Sequence, residues 1–279
     1  MASLVQLSDV HFGAHDPKVV QGVEDFLLAR RPDLVVVSGD FTQRARVSQY
    51  REAGEFLDRL EQGGLATLGV PGNHDVPFYD VVRRFVRPLH RYKKYIDDDL
   101  CPWFENDTLA VLGINTARSL TFKEGRISHA QMDLIRARFR DVAEAKTRIL
   151  VTHHPLFALP IGEGEGLTKT VGRHEGALQA VADAGVQMVL AGHYHRSFSR
   201  SARDMVEKAG RELVIQAGTA TSTRLRDGET QSFNWIDVPR PGAVELRVYG
   251  WTGEAFTAGT PAGFAFEDER WATYEPQPA

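Results

Sequence analysis

Apolar residues along the chain fall into short runs separated by longer amphipathic stretches. Leu4-Val5-Gln6-Leu7, Leu34-Val35-Val36-Val37, Leu65-Ala66-Thr67-Leu68, Leu109-Ala110-Val111-Leu112-Gly113-Ile114, Arg148-Ile149-Leu150-Val151 and Val186-Gln187-Met188-Val189-Leu190 are strand-length runs. Continuous apolar character, as over 34–37, predicts burial on both faces. Between the first two runs, Val19, Val20, Val23, Phe26 and Leu27 recur at helical spacing. They predict a helix over 17–30, with Pro17 suited to its first turn. Further helices are predicted over 48–61, from Ser128 as N-cap through 139, and over 174–184. This strand–helix–strand alternation is the signature of a layered α/β domain. From Glu212 onward, 213–216, 232–238 and 243–249 read as strands with no helix between them, predicting a second, antiparallel-rich sheet region. No repeat or linker interrupts the chain. It is read as a single domain over 1–279, with a core to about residue 250 and an irregular tail over about 260–279.

Two stretches do not fit simple alternation. Over 78–96, Val81, Phe85, Leu89, Tyr92 and Ile96 recur at helical spacing, and Arg83, Arg84, Arg87, Arg91 and Lys94 fill the rest. An amphipathic helix packed on the core with a solvated basic face accounts for this pattern, with Pro88 kinking or breaking it. The same pattern also suits a surface for anionic lipid or for a second phosphate of the substrate. Asp97-Asp98-Asp99 follows and dilutes the positive field. Over 161–172 a Gly-rich stretch without an obvious element reads as a lid or binding loop.

Composition narrows the function classes. The chain has 279 residues, 42% hydrophobic and 25% charged, with a formal net charge of −4 and a pI near 6.2. That balance argues against a nucleic-acid partner, which favours a basic surplus. The single cysteine, Cys101, excludes an internal disulfide and a cysteine-rich zinc site. The N-terminus enters a strand at once, without the basic and apolar regions of a signal peptide, and no apolar run has bilayer length. The expected location is cytoplasmic, with 78–96 as the contact through which the chain would lie peripheral to the inner membrane.

The strand ends carry the chemistry. Asp9-Val10-His11 closes the first run, and two residues apart on an extended chain point the same way. Gly39-Asp40 closes the second, Gly72-Asn73-His74-Asp75 the third, His153-His154-Pro155 a later one, and Gly192-His193-Tyr194-His195 the last. In open α/β sheets, that end is where ligands bind. One such residue has a dull explanation, but five strand ends delivering Asp, Asn or His do not look like packing. Imidazole with carboxylate suits zinc, iron, manganese and similar ions, and the set is too large for one tetrahedral site.

In order and spacing these five blocks, over residues 9–195, resemble the calcineurin-like metallophosphoesterase superfamily. The resemblance implies a four-layer α/β/β/α sandwich of two mixed sheets flanked by helices. It implies two metal ions (Mn, Fe or Zn). Asp9, His11 and His195 would hold one, Asn73, His153 and His193 the other, and Asp40 would bridge them. His154 takes the place of His153 if the register shifts by one. His74 would sit over the scissile phosphate, and Asp75 would orient His74 through its ring N–H or act as a helix N-terminal carboxylate. Within the superfamily, Gly125-Arg126-Ile127-Ser128, His153-His154-Pro155 and His174 resemble the class III cyclic-nucleotide phosphodiesterases and bacterial glycerophosphodiesterases. Protein phosphatases share only Arg44 in the stretch after Gly39-Asp40.

The expected function is hydrolysis of small phosphodiesters such as 3′,5′-cyclic nucleotides or glycerophosphodiesters. The alternatives are a membrane-associated pyrophosphatase similar to UDP-2,3-diacylglucosamine hydrolases, and a non-catalytic scaffold. The intact ligand set speaks against the scaffold. Expected partners are a small phosphodiester or nucleotide substrate, an anionic membrane surface and a second copy in a homodimer, with no nucleic acid.

Overall fold

The computed structural model describes residues 1–121, 123–158, 168–205, 211–226 and 228–276. The chain opens with β1 (Ala2–Leu7), α1 (Pro17–Arg30), β2 (Leu34–Val37), α2 (Val47–Gln62) and β3 (Thr67–Gly69). A single 3-10 turn (Asn73–Asp75) leads to α3 (Val81–Val86) and α4 (His90–Tyr95). Next come β4 (Trp103–Glu105), β5 (Leu109–Gly113), α5 (His129–Arg140), β6 (Thr147–Val151), α6 (His174–Asp183), β7 (Met188–Ala191), β8 (Phe198–Ser201) and β9 (Leu213–Gln216). The chain closes with β10 (Ser232–Arg240), β11 (Ala243–Trp251), β12 (Phe256–Ala258), β13 (Ala262–Glu267) and β14 (Arg270–Tyr274).

The strands form two mixed sheets. One has the order β14-β13-β11-β10-β1-β2-β3, with β12 paired to β11, and the other β4-β5-β6-β7-β9-β8. In the first sheet β1, β2 and β3 are parallel, and in the second β5, β6, β7 and β9 are parallel. The two-residue period of a strand then builds the layers. In β2, Val35 and Val37 pack in one apolar layer with Val23 and Leu27 of α1 and Phe56 and Leu60 of α2. Leu34 and Val36 point the other way, into a layer shared with Ile149 and Val151 of β6 and Met188 and Leu190 of β7. Leu150 of β6 faces out, against Ile135 of α5 and Ala177 of α6. Three apolar layers separate helices, sheet, sheet and helices, giving the four-layer α/β/β/α sandwich. Asp16 caps α1 by accepting from Lys18 N, and Ser128 caps α5 by accepting from Gln131 N.

Three expectations need correction. The late strands make no separate sheet. β9 pairs parallel to β7, and β10 pairs antiparallel to β1 from Ala2↔Val238 to Gln6↔Asn234, covering what would be an open edge. The stretch after Thr260 is not irregular. β13 pairs with β11, and β14 with β13, so Phe264 and Trp271 join the layer between the sheets. The 78–96 segment is broken at Pro88, as expected. Pro88 separates α3 from α4, since it lacks an N–H and clashes with the preceding turn. Finally, α3 reverses the expected faces. Val81 and Phe85 are exposed and Arg84 is buried, whereas Leu89 and Tyr92 pack inward as expected. The lid reading over 161–172 lies mostly outside the described residues. Its described end pairs Val171 N with Pro155 O and Gly172 N with Gly125 O.

At the N-terminal edge of β9 sits a buried carboxyl, Glu212, with Oε2 lacking any hydrogen-bond partner. Burial pushes it from its ordinary 4.5 up to about 7. Between those values the folded chain holds a proton that the unfolded chain releases, so stability falls as pH rises. The contribution is complete below about pH 4.5 and lost through pH 7, about 3 kcal/mol in all. Glu212→Gln should remove this component: denaturant midpoints of the two proteins converge near pH 4.5, and the variant is the more stable one at pH 8. Parallel midpoint-versus-pH curves would show that Glu212 does not titrate this way.

Candidate metal centre

The parallel strands of the two facing sheets end at one rim of the sandwich, and the turns that follow them lock together. Asp9 N donates to Gly39 O at 3.0 Å, His11 N to Asp40 O at 3.0 Å, and Gly192 N to His153 O at 3.0 Å. Five polar residues in these turns adopt the left-handed region: Asp9 (φ 50°), His11 (49°), Asp40 (55°), His193 (82°) and His195 (56°). Each costs on the order of 1 kcal/mol for an L-residue, and such strain gathers where side chains must converge. Two glycines in the turns serve close approach. A Cβ on Gly39, at φ 97°, would lie 2.4 Å from His153 Nδ1, and one on Gly72 would lie 2.1 Å from Asp40 Oδ1.

The turns bring all seven side chains expected as ligands together in two clusters with Asp40 between them. In one, Asp9 Oδ1 lies 3.1 Å from His195 Nε2 and 3.8 Å from His11 Nε2, and the two imidazole nitrogens are 3.2 Å apart. In the other, Asn73 Oδ1 lies 3.1 Å from His153 Nε2 and 3.0 Å from His193 Nδ1. Asp40 Oδ2 faces a histidine of each cluster, His11 Nε2 at 3.8 Å and His153 Nε2 at 3.4 Å. Asp9 Oδ1 is buried yet makes no hydrogen bond. Imidazole nitrogens and acid or amide oxygens crowd at about ligand spacing without enough protons to share. This donor set fits cations. His153 Nδ1 bonds Ser38 O at 2.9 Å, which places a ring proton there and turns Nε2 toward Asp40. Burial lowers His153, but Asp40 and Asp9 beside it outweigh that and raise it to about 9, so a cation would take the place of a proton on Nε2.

Electrostatics agree with that fit. Burial pushes Asp9 and Asp40 up, but His195 beside Asp9 and His153 beside Asp40 outweigh it, so both carboxylates stay ionised. Burial lowers His11 to about 4 and His193 to about 3, keeping both imidazoles neutral, each with one ring nitrogen bearing a lone pair. The same rim opens into a cavity of about 620 Å³ lined by His11, Asp40, His74 and His193, with Lys123, Arg224 and Arg226 at its walls.

His74 and Asp75 divide their work differently from the expected relay. His74 Nδ1 pairs with Gln43 O at 2.8 Å, and its backbone N donates to Asp40 Oδ1 at 2.8 Å. Asp75 accepts instead from Phe41 N (3.1 Å), Thr42 N (2.9 Å) and Gly72 N (2.9 Å), and from Thr42 Oγ1 (3.1 Å). It thus ties the turn after β2 to the turn after β3, and Gln43 orients His74. His154 pairs through Nδ1 with Thr116 Oγ1 at 2.7 Å. It shares the neighbourhood of His153 and His193, but His153 is the one facing Asp40.

Sequence reasoning also missed the bridge beneath the site. Gln6 Nε2 of β1 donates across the sandwich to Ala191 O at 2.9 Å, and Asn234 Nδ2 donates to Gln6 Oε1 at 3.0 Å. Gln6 occupies an inward position among apolar residues, which was the available signal. Asp75→Ala should therefore strip partners from three buried N–H groups and cost about 3–5 kcal/mol in denaturant unfolding, with activity lost as the two turns separate. An unchanged unfolding midpoint with only a slower rate would restore the relay to His74.

Comparison with known proteins places this geometry. The family model of the calcineurin-like phosphoesterases matches residues 2–197. A probable cyclic nucleotide phosphodiesterase of Synechococcus sp. is 23% identical over 208 residues, covering 70% of this chain and 74% of that protein. Among solved structures, a dimetal phosphatase from Danio rerio superposes with a TM-score of 0.64 at 12% identity, covering 92% of this chain and 98% of its own. A purple acid phosphatase from yellow lupin (Lupinus luteus) gives a TM-score of 0.68 at 12% identity, covering 92% of this chain but 52% of its own, so this chain spans about half of that enzyme. Family match, fold and clustered donors agree: the chain is a hydrolase belonging to the calcineurin-like phosphoesterase family.

Proposed function

We propose that this chain is a dinuclear metal-dependent hydrolase of small phosphodiesters, with 3′,5′-cyclic nucleotides and glycerophosphodiesters as the substrate class. The observation that carries this reading is the pair of donor clusters joined by Asp40 at the floor of one open polar cavity. Asp9, His11 and His195 are assigned to one cation, Asn73, His153 and His193 to a second, and Asp40 to both. Manganese, iron and zinc all suit such donors. When bound, the cations supply Lewis-acid neutralisation of phosphoryl charge and a readily deprotonated water.

The chain's own groups do the rest. With Nδ1 engaged by Gln43 O, His74 keeps Nε2 for the substrate, where it donates to a phosphoryl or departing ester oxygen when protonated. Its backbone bond to Asp40 fixes the distance between that imidazole and the donor clusters. Lys123, Arg224 and Arg226 at the cavity wall complement the negative charge of a diester. The preference for a small diester draws on the cyanobacterial relative, which aligns over most of this chain. It draws also on Phe41-Thr42-Gln43-Arg44, which lacks the pattern expected of a protein phosphatase.

Metal-loaded protein should contain two ions per chain by elemental analysis. Asp40→Ala should lose both along with activity, whereas His74→Ala should keep both and lose about 10²–10⁴ in kcat. Metal loss from His74→Ala would overturn its assignment. Across 3′,5′-cyclic AMP, glycerophosphocholine and p-nitrophenyl phosphate, kcat/KM should favour a diester over the monoester by about tenfold or more, close to 1.4 kcal/mol in transition-state binding. A preference for the monoester would replace the diesterase reading with a phosphatase one.

A further inference from the structure

The stretch immediately after the His74 turn is built the wrong way round for a core-packing helix. On α3, Val81, Val82, Phe85 and Val86 are 61%, 74%, 56% and 70% exposed, with exposed Phe78 and Tyr79 just before them and Leu120 at 71% in the neighbouring loop. The inward residue is Arg84. It donates from Nε to Ser119 O at 2.7 Å, from Nη1 to Pro77 O at 3.0 Å and from Nη2 to Thr121 O at 2.5 Å. These bonds hold the helix to the 119–121 loop. Rolling the apolar face inward would break them and strand a buried guanidinium. The exposure is therefore fixed by the fold, and a contiguous apolar patch of this kind marks an interaction site.

Beside the patch lies a second feature of opposite character. An open cavity of about 490 Å³ is lined by the cationic side chains Arg87, Lys93 and Arg118, by His90, and by apolar residues such as Leu89 and Leu100. Among the described residues no carboxylate lines it. The acidic run after α4 is turned on itself, Asp97 Oδ1 accepting from Asp99 N and Asp99 Oδ1 from Cys101 N. Asp80 is engaged by Arg83 at 3.4 Å, and the Arg44 guanidinium lies 5.6 Å from the Tyr79 ring centre.

We propose that α3 and this basic cavity together form a docking surface for a bilayer containing anionic lipid. Phe85, Val82 and Val86 enter the boundary between headgroups and acyl chains, and a lipid phosphate occupies the cavity between Arg87, Lys93 and Arg118. Charge complementarity selects this occupant. Apolar tips ringed by cations match an anionic interface. A second copy docked by two-fold symmetry on this face would bring the cations of one cavity, Arg87, Lys93 and Arg118, close to those of the other with no lining carboxylate among the described residues to offset them. Among the described residues no helix is long and apolar enough to cross a membrane, so the contact is made from the surface. The inference stands apart from the substrate reading, because vesicle binding requires no turnover.

The test is co-flotation of the full metal-loaded chain with phosphatidylcholine vesicles, with and without phosphatidylglycerol. Binding should be about tenfold or more tighter with phosphatidylglycerol and should weaken with salt. Neutralising Arg87→Gln, Lys93→Gln and Arg118→Gln together should lose about fivefold per cation. The combination Val82→Ser, Phe85→Ser and Val86→Ser should lose about tenfold or more even at low salt. Both variants should keep the thermal midpoint and the rate on a small soluble diester. Equal binding to the two vesicle types, or unchanged binding by either variant, overturns the proposal. So does sedimentation showing a concentration-dependent dimer that the serine variant abolishes while vesicle binding is absent; that result gives the face to a second copy.

Discussion

Asp40 is the point at which the two halves of the sandwich close on each other. Its carboxylate is buried, an arrangement that costs several kcal/mol unless the charge is compensated. Compensation comes from both sheets: His74 N donates to it from the first at 2.8 Å, and the His153 imidazole, raised to about 9, faces it from across the interface at 3.4 Å. The backbone accommodates it by placing Asp40 in the left-handed region and by leaving Gly72 without a side chain where Asp40 Oδ1 passes. The spacing of the sheets and the geometry of the site are thus one constraint. A sandwich slightly wider would leave a charge unpaired, and one slightly narrower would drive Asp40 into the turn before Asn73. Gln6 reinforces the spacing from below by donating across the same gap to Ala191 O.

Much of this was legible in the sequence because it depends on the order of residue types. Buried parallel strands announce themselves as short apolar runs, and polar donors directly after such runs stand out against them. Less legible was whatever depends on partners distant in sequence. Gln43 meets His74 Nδ1 through its backbone carbonyl at 2.8 Å and through its side-chain Nε2 at 3.3 Å, a pairing between distant positions that the order of residue types does not reveal. Asp75 looked like a partner for its neighbour in sequence, but its oxygens are taken by backbone N–H groups of Phe41 and Thr42, more than thirty residues away. The β13–β14 hairpin is short, with charged residues at its turn; Phe264 and Trp271 are buried in the interior, and Ala262 and Phe266 pack against that layer only in part. Strands this short, with half-buried inward positions, fall below what period alone can separate from loop. For α3, helical spacing specifies which residues share a face, but not whether that face meets the core or the solvent.

The loop that receives Arg84 joins the outer surface to the centre. At one end Ser119 O and Thr121 O take the guanidinium. At its base Arg126 N returns to Thr116 O at 3.0 Å, and Thr116 Oγ1 holds His154 Nδ1 at 2.7 Å. Gly125 lies against the His154 ring so closely that a Cβ would come within 2.5 Å of it. Burial, with His153 and His193 beside it, drives His154 well below the ordinary histidine range, so it stands in the centre as a neutral imidazole. An uncharged ring there adds no positive charge to a region that must accept cations. It also gives the loop a rigid stop, fixed on one side by Thr116 and on the other by Gly125. The same chain segment therefore sets the attitude of α3 at the surface and the wall of the cavity at Lys123 and Gly125. A displacement of α3 cannot be absorbed by α3 alone, because its buried guanidinium carries the loop with it and the loop ends against an imidazole of the donor cluster.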